Sequence, residues 1–250
     1  MQSIATKGVI YPDSDGQPMA DNTLQFQWIV TLKTNLDWWF RNDPEVFVAG
    51  DLLWYPVQGD PKKRVAPDVL VVRGRPKGHR GSYRQWEEDN QPPQVVIEVL
   101  SPGNRFPEMM RKFRFYERYG VEEYLIIDPE PAEISVYRRE ENELCEVEIT
   151  DEWSSRQLGL RVVVDEGLHF YHPDGERYRT YDEAQAAALE AQREAERAHL
   201  AAERAQQQAE RAQQQAERAQ QQAEREREAK QRALTELAAM REKLRRAGLE

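Results

Sequence analysis

Two acidic residues interrupt apolar stretches of this sequence. Asp68 follows a proline in V-A-P-D-V-L-V-V (65–72), and Glu98 lies in the middle of Q-V-V-I-E-V-L-S-P (94–102). Both stretches are short, rich in apolar and β-branched residues and next to prolines, which is typical of buried β-strands. A buried carboxylate costs on the order of several kcal/mol unless another group compensates its charge. Asp68 and Glu98 are therefore the first candidates for a functional site.

The chemistry that these two carboxylates support depends on a cation. If the two strands lie side by side, Asp68 and Glu98 converge, and like charges at close range raise each other's pKa. Mg²⁺ or Mn²⁺ removes that conflict, because hard divalent ions bind carboxylate oxygens and keep several waters. Such an ion polarises a phosphoryl oxygen and acidifies a bound water, as phosphodiester hydrolysis requires. The residues alone leave an alternative open, in which Asp68 forms a turn or cap and Glu98 faces water at a sheet edge.

Three successive segments of the sequence resemble the Uma2 family: A-P-D-V-L-V-V (66–72), P-P-Q-V-V-I-E-V-L-S-P (92–102) and R-K-F-R-F-Y-E-R-Y-G-V-E-E-Y-L-I-I-D-P (111–129). Members of this family are similar to PD-(D/E)XK, or restriction-endonuclease-like, nucleases. The resemblance extends over residues 22–170 and implies a Mg²⁺- or Mn²⁺-dependent endonuclease that acts on DNA. It also implies that Asp68 and Glu98 are the metal ligands.

The lysine of the E-x-K half-motif is displaced in this chain. Its usual position, two residues after Glu98, holds Leu100. In Uma2-like sequences the lysine lies on the following helix, and Lys112 occupies that place, so the resemblance implies that Lys112 activates water and contacts phosphate. Glu108, one turn earlier, stands where the family often has Asp and is a candidate partner of the site. An exposed i,i+4 pair of Glu108 with Lys112 is the alternative.

Weaker candidates surround these residues. Ser101 either contacts a ligand or caps the next segment, and capping is the favoured interpretation. Asp51 is a candidate third acidic ligand, whereas Tyr116 is interpreted as core packing. Five cations in the loop 73–84 are candidate contacts to a nucleic-acid backbone, namely Arg73, Arg75, Lys77, Arg80 and Arg84. A solvated loop with scattered charge is the alternative, because three acidic residues (87–89) follow at once.

The periodicity of apolar residues and the positions of proline and glycine predict the helices and strands that position these residues. Apolar residues at steps of three and four predict one helical face formed by Leu24, Trp28, Leu32, Leu36 and Trp39. A second helix is expected from Pro107 to a stop at Gly120. Strands are predicted within 46–56, 65–72, 94–102, 124–129 and 133–138, with β-rich structure over 144–180. The fold class is α/β: a restriction-endonuclease-like mixed sheet core flanked by helices, followed by a long C-terminal coiled-coil helix.

Composition divides the chain into a flexible N-terminal segment (1–21), a nuclease domain (22–180) and an Ala/Glu/Arg/Gln-rich helix (181–250). The heptad A-E-R-A-Q-Q-Q recurs at 202, 209 and 216, with Ala at positions a and d. We expect homo-oligomerisation through residues 181–250. The alternative is a single solvated helix, because Ala buries only a methyl group and Gln at e and g forms no selective ion pairs.

Charge and cysteine content limit the function classes. The formal net charge is −10, of which −9 belongs to residues 1–180 and −1 to the tail. This argues against nucleic-acid binding by broad electrostatic attraction, but not against a local basic groove. The single Cys145 and the absence of a signal-like or membrane-spanning apolar run favour a cytoplasmic protein without a membrane partner. A catalytically inactive nuclease-fold domain that acts as a binding or assembly module through its coiled coil remains the alternative function.

Overall fold

The computed structural model of the protein describes residues 9–14, 16 and 20–246. The chain divides into two compact units, Met1–Gln185 and Ala186–Glu250. The helices are α1 (Thr23–Trp39), α2 (Phe106–Tyr119) and α3 (Tyr181–Arg246). The strands are β1 (Val46–Gly50), β2 (Trp54–Tyr55), β3 (Val69–Arg73), β4 (Tyr83–Arg84), β5 (Val95–Val99), β6 (Glu123–Asp128), β7 (Glu133–Glu140), β8 (Glu143–Val147), β9 (Glu152–Ser154), β10 (Arg161–Val164) and β11 (Leu168–Tyr171).

A six-stranded mixed sheet forms the centre of the first unit, in the order β1-β3-β5-β6-β7-β8. Strands β5 and β6 are parallel and are connected through α2, as a parallel pair requires, whereas the other neighbouring pairs are antiparallel. A three-stranded antiparallel sheet, β11-β10-β9, and a two-stranded parallel sheet, β2-β4, complete the unit. The predicted α/β class, with a mixed sheet, flanking helices and a long C-terminal helix, is confirmed.

The two faces of the sheet carry different side chains of each strand. Along β5, Val95, Ile97 and Val99 belong to the core on the α1 side, whereas Val96 belongs to the core on the α2 side. Because successive side chains of a strand point to opposite faces, Glu98 lies on the same face as Val96. All five residues of β5 are buried, as the sequence predicted.

The buried face of α1 differs in part from the predicted apolar stripe. It consists of Gln25, Ile29, Leu32, Asn35 and Leu36. Leu24, which was predicted to be part of it, is 38 % exposed. Two buried amides explain the difference: Gln25 donates to the carbonyl of Val99 at 2.8 Å, and Asn35 donates to the carbonyl of Arg179 at 2.8 Å. The buried face of α1 therefore combines apolar residues with two amides whose hydrogen bonds are satisfied.

Helix α2 has the predicted start and stop signals. Pro107 lies in its first turn, where a missing N–H costs nothing, and Gly120 ends it in the left-handed conformation with φ 93°. Lys112 and Tyr116 are one helical turn apart and therefore share a face. That face meets the α2 side of the sheet, since Tyr116 belongs to the same core as Val96.

The predicted flexible segment, 1–21, falls partly outside the described residues. Within it, Tyr11 contacts the rings of Tyr55 and Trp86, and the carbonyl of Pro12 accepts a hydrogen bond from the Tyr55 hydroxyl at 2.6 Å. Residues 11 and 12 therefore pack on the folded unit.

Helix α3 begins with a capping box. The Glu183 carboxylate accepts from the Thr180 N–H at 2.8 Å, and the Thr180 hydroxyl accepts from the Glu183 N–H at 3.3 Å. Its 66 residues correspond to a length of about 100 Å. None of the helices in the described part of the chain has both the length and the apolar character needed to cross a membrane. Pairing of this helix with another copy stays a prediction.

Candidate active site

Asp68, directly before β3, lies opposite Glu98 on the neighbouring strand β5. Strands β3 and β5 are antiparallel with Val69 opposite Ile97, so the next position in the same register places Asp68 opposite Glu98. The two carboxyl groups are close enough to interact by a hydrogen bond, and one Asp68 oxygen (Oδ2) also accepts from the Val99 N–H at 2.7 Å. Asp68 is 9 % and Glu98 2 % exposed. The predicted proximity of the two acidic residues is therefore present in the structure.

Two side chains of α2 hold the carboxylate of Glu98. Lys112 Nζ donates to Glu98 Oε2 at 2.8 Å, and the Tyr116 hydroxyl donates to Glu98 Oε1. The i,i+4 spacing of Lys112 and Tyr116 allows one helix face to supply both donors. Each oxygen of Glu98 thus has one partner on α2, and the carboxylate also interacts with Asp68.

The proximity of these groups determines their protonation. Burial, followed by the charge of Glu98, raises the pKa of Asp68 to about 8. Burial alone would lower the pKa of Lys112, but Glu98 and Asp68 outweigh it and raise that pKa above its ordinary value. Burial and the Glu98 charge raise the pKa of Tyr116 well above its usual range. At neutral pH the metal-free site therefore contains a cationic Lys112, a neutral Tyr116 and a proton retained on Asp68.

A polar cavity of about 650 Å³ opens beside Asp68. Its lining is Ala20, Asp21, Gln25, Asp51, Lys62, Lys63, Arg64, Val65, Ala66, Asp68, Gly103, Asn104, Glu108, Arg111, Lys112 and Phe115. Within the described ranges, no three or more His, Cys, Asp or Glu side chains are grouped closely enough to hold a metal ion. Asp68, which lines the cavity, and Glu98, which contacts Asp68, form a carboxylate pair. Such a pair fits Mg²⁺, which binds one or two carboxylates and completes its shell with water and phosphate oxygens. Burial, followed by the charge of Glu98, raises the Asp68 pKa, and a divalent ion would remove the second of these causes.

The weaker acidic candidates differ in their positions. Glu108 lines the cavity and acts electrostatically on Lys112, one turn later on α2. Asp51 also lines the cavity, and its backbone N–H donates to the carbonyl of Asp68 at 3.2 Å. The Ser101 hydroxyl donates to Asp21 Oδ2 at 2.6 Å. Glu108 and Asp51 thus belong to the cavity, whereas Ser101 organises the turn before α2.

The cations of the loop 73–84 do not reach the cavity, and each has a partner elsewhere in its own unit. The contacts are Arg73 with the Gln157 carbonyl, Arg75 with Asp89 at 2.6 Å, Lys77 with the Val46 carbonyl at 3.1 Å, Arg80 with Glu88 at 2.6 Å and Arg84 with Glu87 at 3.6 Å. The acidic run 87–89 therefore neutralises much of this loop. Its contact with nucleic acid stays a prediction that the geometry does not support.

Sequence reasoning missed three features of the site. Tyr116 was interpreted as core packing, yet its hydroxyl contacts Glu98 as well; the i,i+4 spacing from Lys112 was the available signal. Gln25 lines the cavity from α1, which the predicted apolar stripe did not indicate. The run K-K-R at 62–64 also lines the cavity, and its only signal was three consecutive cations in an acidic domain.

Comparison with known proteins identifies the family through one sequence model. No curated protein matches the chain. Among solved structures, it is similar to a crystal structure of a putative nuclease belonging to DUF820 from Anabaena variabilis, with 16 % sequence identity, a TM-score of 0.38, and coverage of 52 % of this chain and 73 % of that one. The sequence model of the Uma2 family, described as "Putative restriction endonuclease", matches residues 11–170. Since this match covers more than half of the chain, the protein belongs to the Uma2 family.

Proposed function

We propose that this protein is a Mg²⁺- or Mn²⁺-dependent endonuclease of the PD-(D/E)XK type that hydrolyses phosphodiester bonds of DNA. The observation that carries this proposal is the meeting of Asp68, Glu98 and Lys112 beside a polar cavity that Asp68 and Lys112 line. Membership of a family described as "Putative restriction endonuclease" supports the same reaction class.

The two carboxylates would hold the divalent ion. When bound, the ion supplies a more acidic water and a positive charge next to the phosphoryl oxygens. The Val99 N–H fixes one oxygen of Asp68, and α2 fixes both oxygens of Glu98, so these ligands are oriented before a metal arrives.

Lys112 is the group that acts directly on the reactants in this proposal. Its raised pKa keeps it cationic at neutral pH, and its ammonium group has three N–H donors, of which one is used by Glu98. The other two are available to orient the attacking water and to stabilise negative charge on the phosphate. The Lys112–Glu98 contact thereby fixes the position of the donors relative to the metal ligands.

The proposal is tested by incubating the full-length protein with supercoiled plasmid DNA and Mg²⁺ or Mn²⁺. We expect nicking or linearisation by the wild type, and loss of cleavage by at least 100-fold in Asp68→Ala, Glu98→Ala and Lys112→Ala, because each change removes a metal ligand or the cationic donor. Far-UV circular dichroism checks that the variants remain folded. Glu152→Ala, which removes a carboxylate that is 63 % exposed, serves as the matched control and should cleave like the wild type.

A wild-type protein that is inert with both metals and with both DNA and RNA would contradict the proposal. The same result would favour the second candidate function, an inactive nuclease-fold module that assembles through α3. That candidate has one specific observation in its favour: Leu100 stands where the E-x-K half-motif has its lysine.

A further inference from the structure

The loop between β2 and β3 presents cations to the cavity. Lys62 and Lys63 are exposed, Arg64 is half-buried, and all three line the cavity that also contains Asp68 and Lys112. Arg111 of α2, which is exposed, contributes a fourth cation. These residues form a local basic surface on a unit whose formal charge is strongly negative. We define Lys62, Lys63 and Arg111 as the cationic rim.

The backbone holds the 57–64 loop in place. At its base, Trp54 and Val65 exchange two backbone hydrogen bonds of 2.8 and 3.2 Å. Within the loop, the Lys63 N–H donates to the Asp60 carbonyl at 3.2 Å and the Lys62 N–H donates to the Asp60 side chain at 3.2 Å. Strand β2 is in turn fixed by parallel pairing with β4. The two lysines are therefore displayed from an ordered turn beside the candidate active site.

The acidic residues that line the cavity would repel an anionic phosphodiester unless nearby cations offset their charge. Phosphodiester groups are anionic, and the cavity lining includes Asp21, Asp51, Asp68 and Glu108. Lys112 is already paired with Glu98, and Arg64 is engaged by the Pro61 carbonyl at 3.4 Å. Of the cations that line the cavity, the rim residues are therefore the ones that can offset repulsion between the acidic centre and a phosphate backbone. Lys63 has an exposed partner, Asp60 at 3.3 Å, which solvent screens and which it can release.

We infer that the cationic rim is the surface that binds the phosphodiester backbone of the nucleic acid, in place of the loop 73–84. This inference rests on the proposed function for the substrate class, but it concerns binding and not hydrolysis. Lys62 and Lys63 position the strand through contacts to phosphates on either side of the reacting one, and such contacts carry no base specificity. The cations of the loop 73–84 are not among the residues that line this cavity.

The test measures binding of fluorescently labelled oligonucleotides to the full-length protein by anisotropy, with Ca²⁺ replacing Mg²⁺ and with salt varied from about 50 to 200 mM. Ca²⁺ takes the same kind of oxygen ligands as Mg²⁺. The logarithm of the binding constant falls linearly with the logarithm of the salt concentration. Each lost phosphate contact makes this slope shallower by about 0.9 for duplex DNA and about 0.7 for a single strand. We therefore expect Lys62→Ala/Lys63→Ala to weaken binding roughly 10- to 100-fold near 100 mM salt and to reduce the salt slope by nearly two. Parallel duplex and single-strand probes show which form the rim prefers.

The matched control is Arg73→Ala/Lys77→Ala, which removes the same charge from two exposed residues of the competing loop. It should bind like the wild type. Unchanged binding by the lysine double variant, an equal loss in the control, or no binding of either probe by the wild type would overturn the inference. Lysine-dependent binding without any Mg²⁺- or Mn²⁺-dependent cleavage would support the rim and contradict only the proposed reaction. Cleavage that is unaffected by loss of both lysines would support the proposed reaction and contradict only the rim.

Discussion

Glu98 is the residue whose contacts define the candidate site. One of its oxygens is held by Lys112 and the other by Tyr116, while Asp68 approaches from the neighbouring strand. A carboxylate held in this way binds an ion without first having to be ordered, because its partners already fix its orientation. Removing either partner should therefore affect metal binding as well as cleavage.

Tyr116→Phe tests the orienting role of the hydroxyl. The ring keeps its place in the core, but Glu98 loses one hydrogen bond, so we expect the affinity for Mn²⁺ to fall roughly 10- to 100-fold. Titration calorimetry with Mn²⁺ measures this directly. Tyr124→Phe is the control: Tyr124 packs against Tyr116 at 4.9 Å between ring centroids, and its buried hydroxyl has no hydrogen-bond partner among the described residues. It should bind Mn²⁺ like the wild type, with unchanged or higher stability. Equal affinities in Tyr116→Phe and the wild type would refute an orienting role.

The raised pKa of Asp68 predicts a pH dependence of the metal-free protein. Its pKa is about 8 in the folded state and about 3.9 in an unfolded chain, so between these values the folded state binds more protons than the unfolded state. The free energy of unfolding contributed by Asp68 therefore falls as pH rises from about 4 to 8, by at most about 1.4 kcal/mol per pH unit. Urea unfolding of the wild type and Asp68→Asn in EDTA at pH 5 and 8 measures it. The wild type should lose stability relative to the variant at pH 8, and an unchanged difference would show that Asp68 is not protonated.

Helix α2 is the element that delivers Lys112 and Tyr116 to the sheet, and its end is set by Gly120. The φ of 93° disfavours any side chain, and a Cβ there would lie 3.2 Å from Cγ of Pro92. We expect Gly120→Ala to cost about 1–2 kcal/mol and to lower Tm by roughly 2–8 °C in a thermal scan. Gly167→Ala should be neutral, since a Cβ at Gly167 meets only His169 at 3.8 Å. Equal Tm values for Gly120→Ala and the wild type would show that the left-handed turn is not required.

The elements were more predictable from the sequence than the contacts between them. Proline, glycine and runs of β-branched residues mark the ends and burial of β3, β5 and α2 locally, so these elements could be predicted. The meeting of Asp68 with Glu98 was predicted only on the condition that the two strands are neighbours. The spacing of Tyr116 from Lys112 places both on one face of α2, but whether the hydroxyl reaches Glu98 depends on how α2 docks on the sheet. The position of Lys62 likewise depends on β2 pairing with β4, about 30 residues later. Long-range pairings of this kind leave no periodic signal in one sequence.

The whole chain combines the folded unit with a helix whose surface suits self-association. Leu234, Leu237 and Met240 are 53, 52 and 66 % exposed, and the repeat before them places Ala at a and d. We propose that α3 pairs with a second copy, with these larger side chains contributing most of the buried apolar area. Sedimentation velocity should then show a dimer or larger species for the full chain and a monomer for a chain ending at Gln185. Monomers in both cases would contradict the pairing.

An ion shared by Asp68 and Glu98 is the claim on which the proposed reaction depends. Its most direct test is anomalous diffraction from a crystal of the full-length protein soaked in Mn²⁺. We predict a single strong anomalous peak within about 2.5 Å of a carboxylate oxygen of each residue. No peak at that position at millimolar Mn²⁺, or a peak bound by other side chains, would contradict the account.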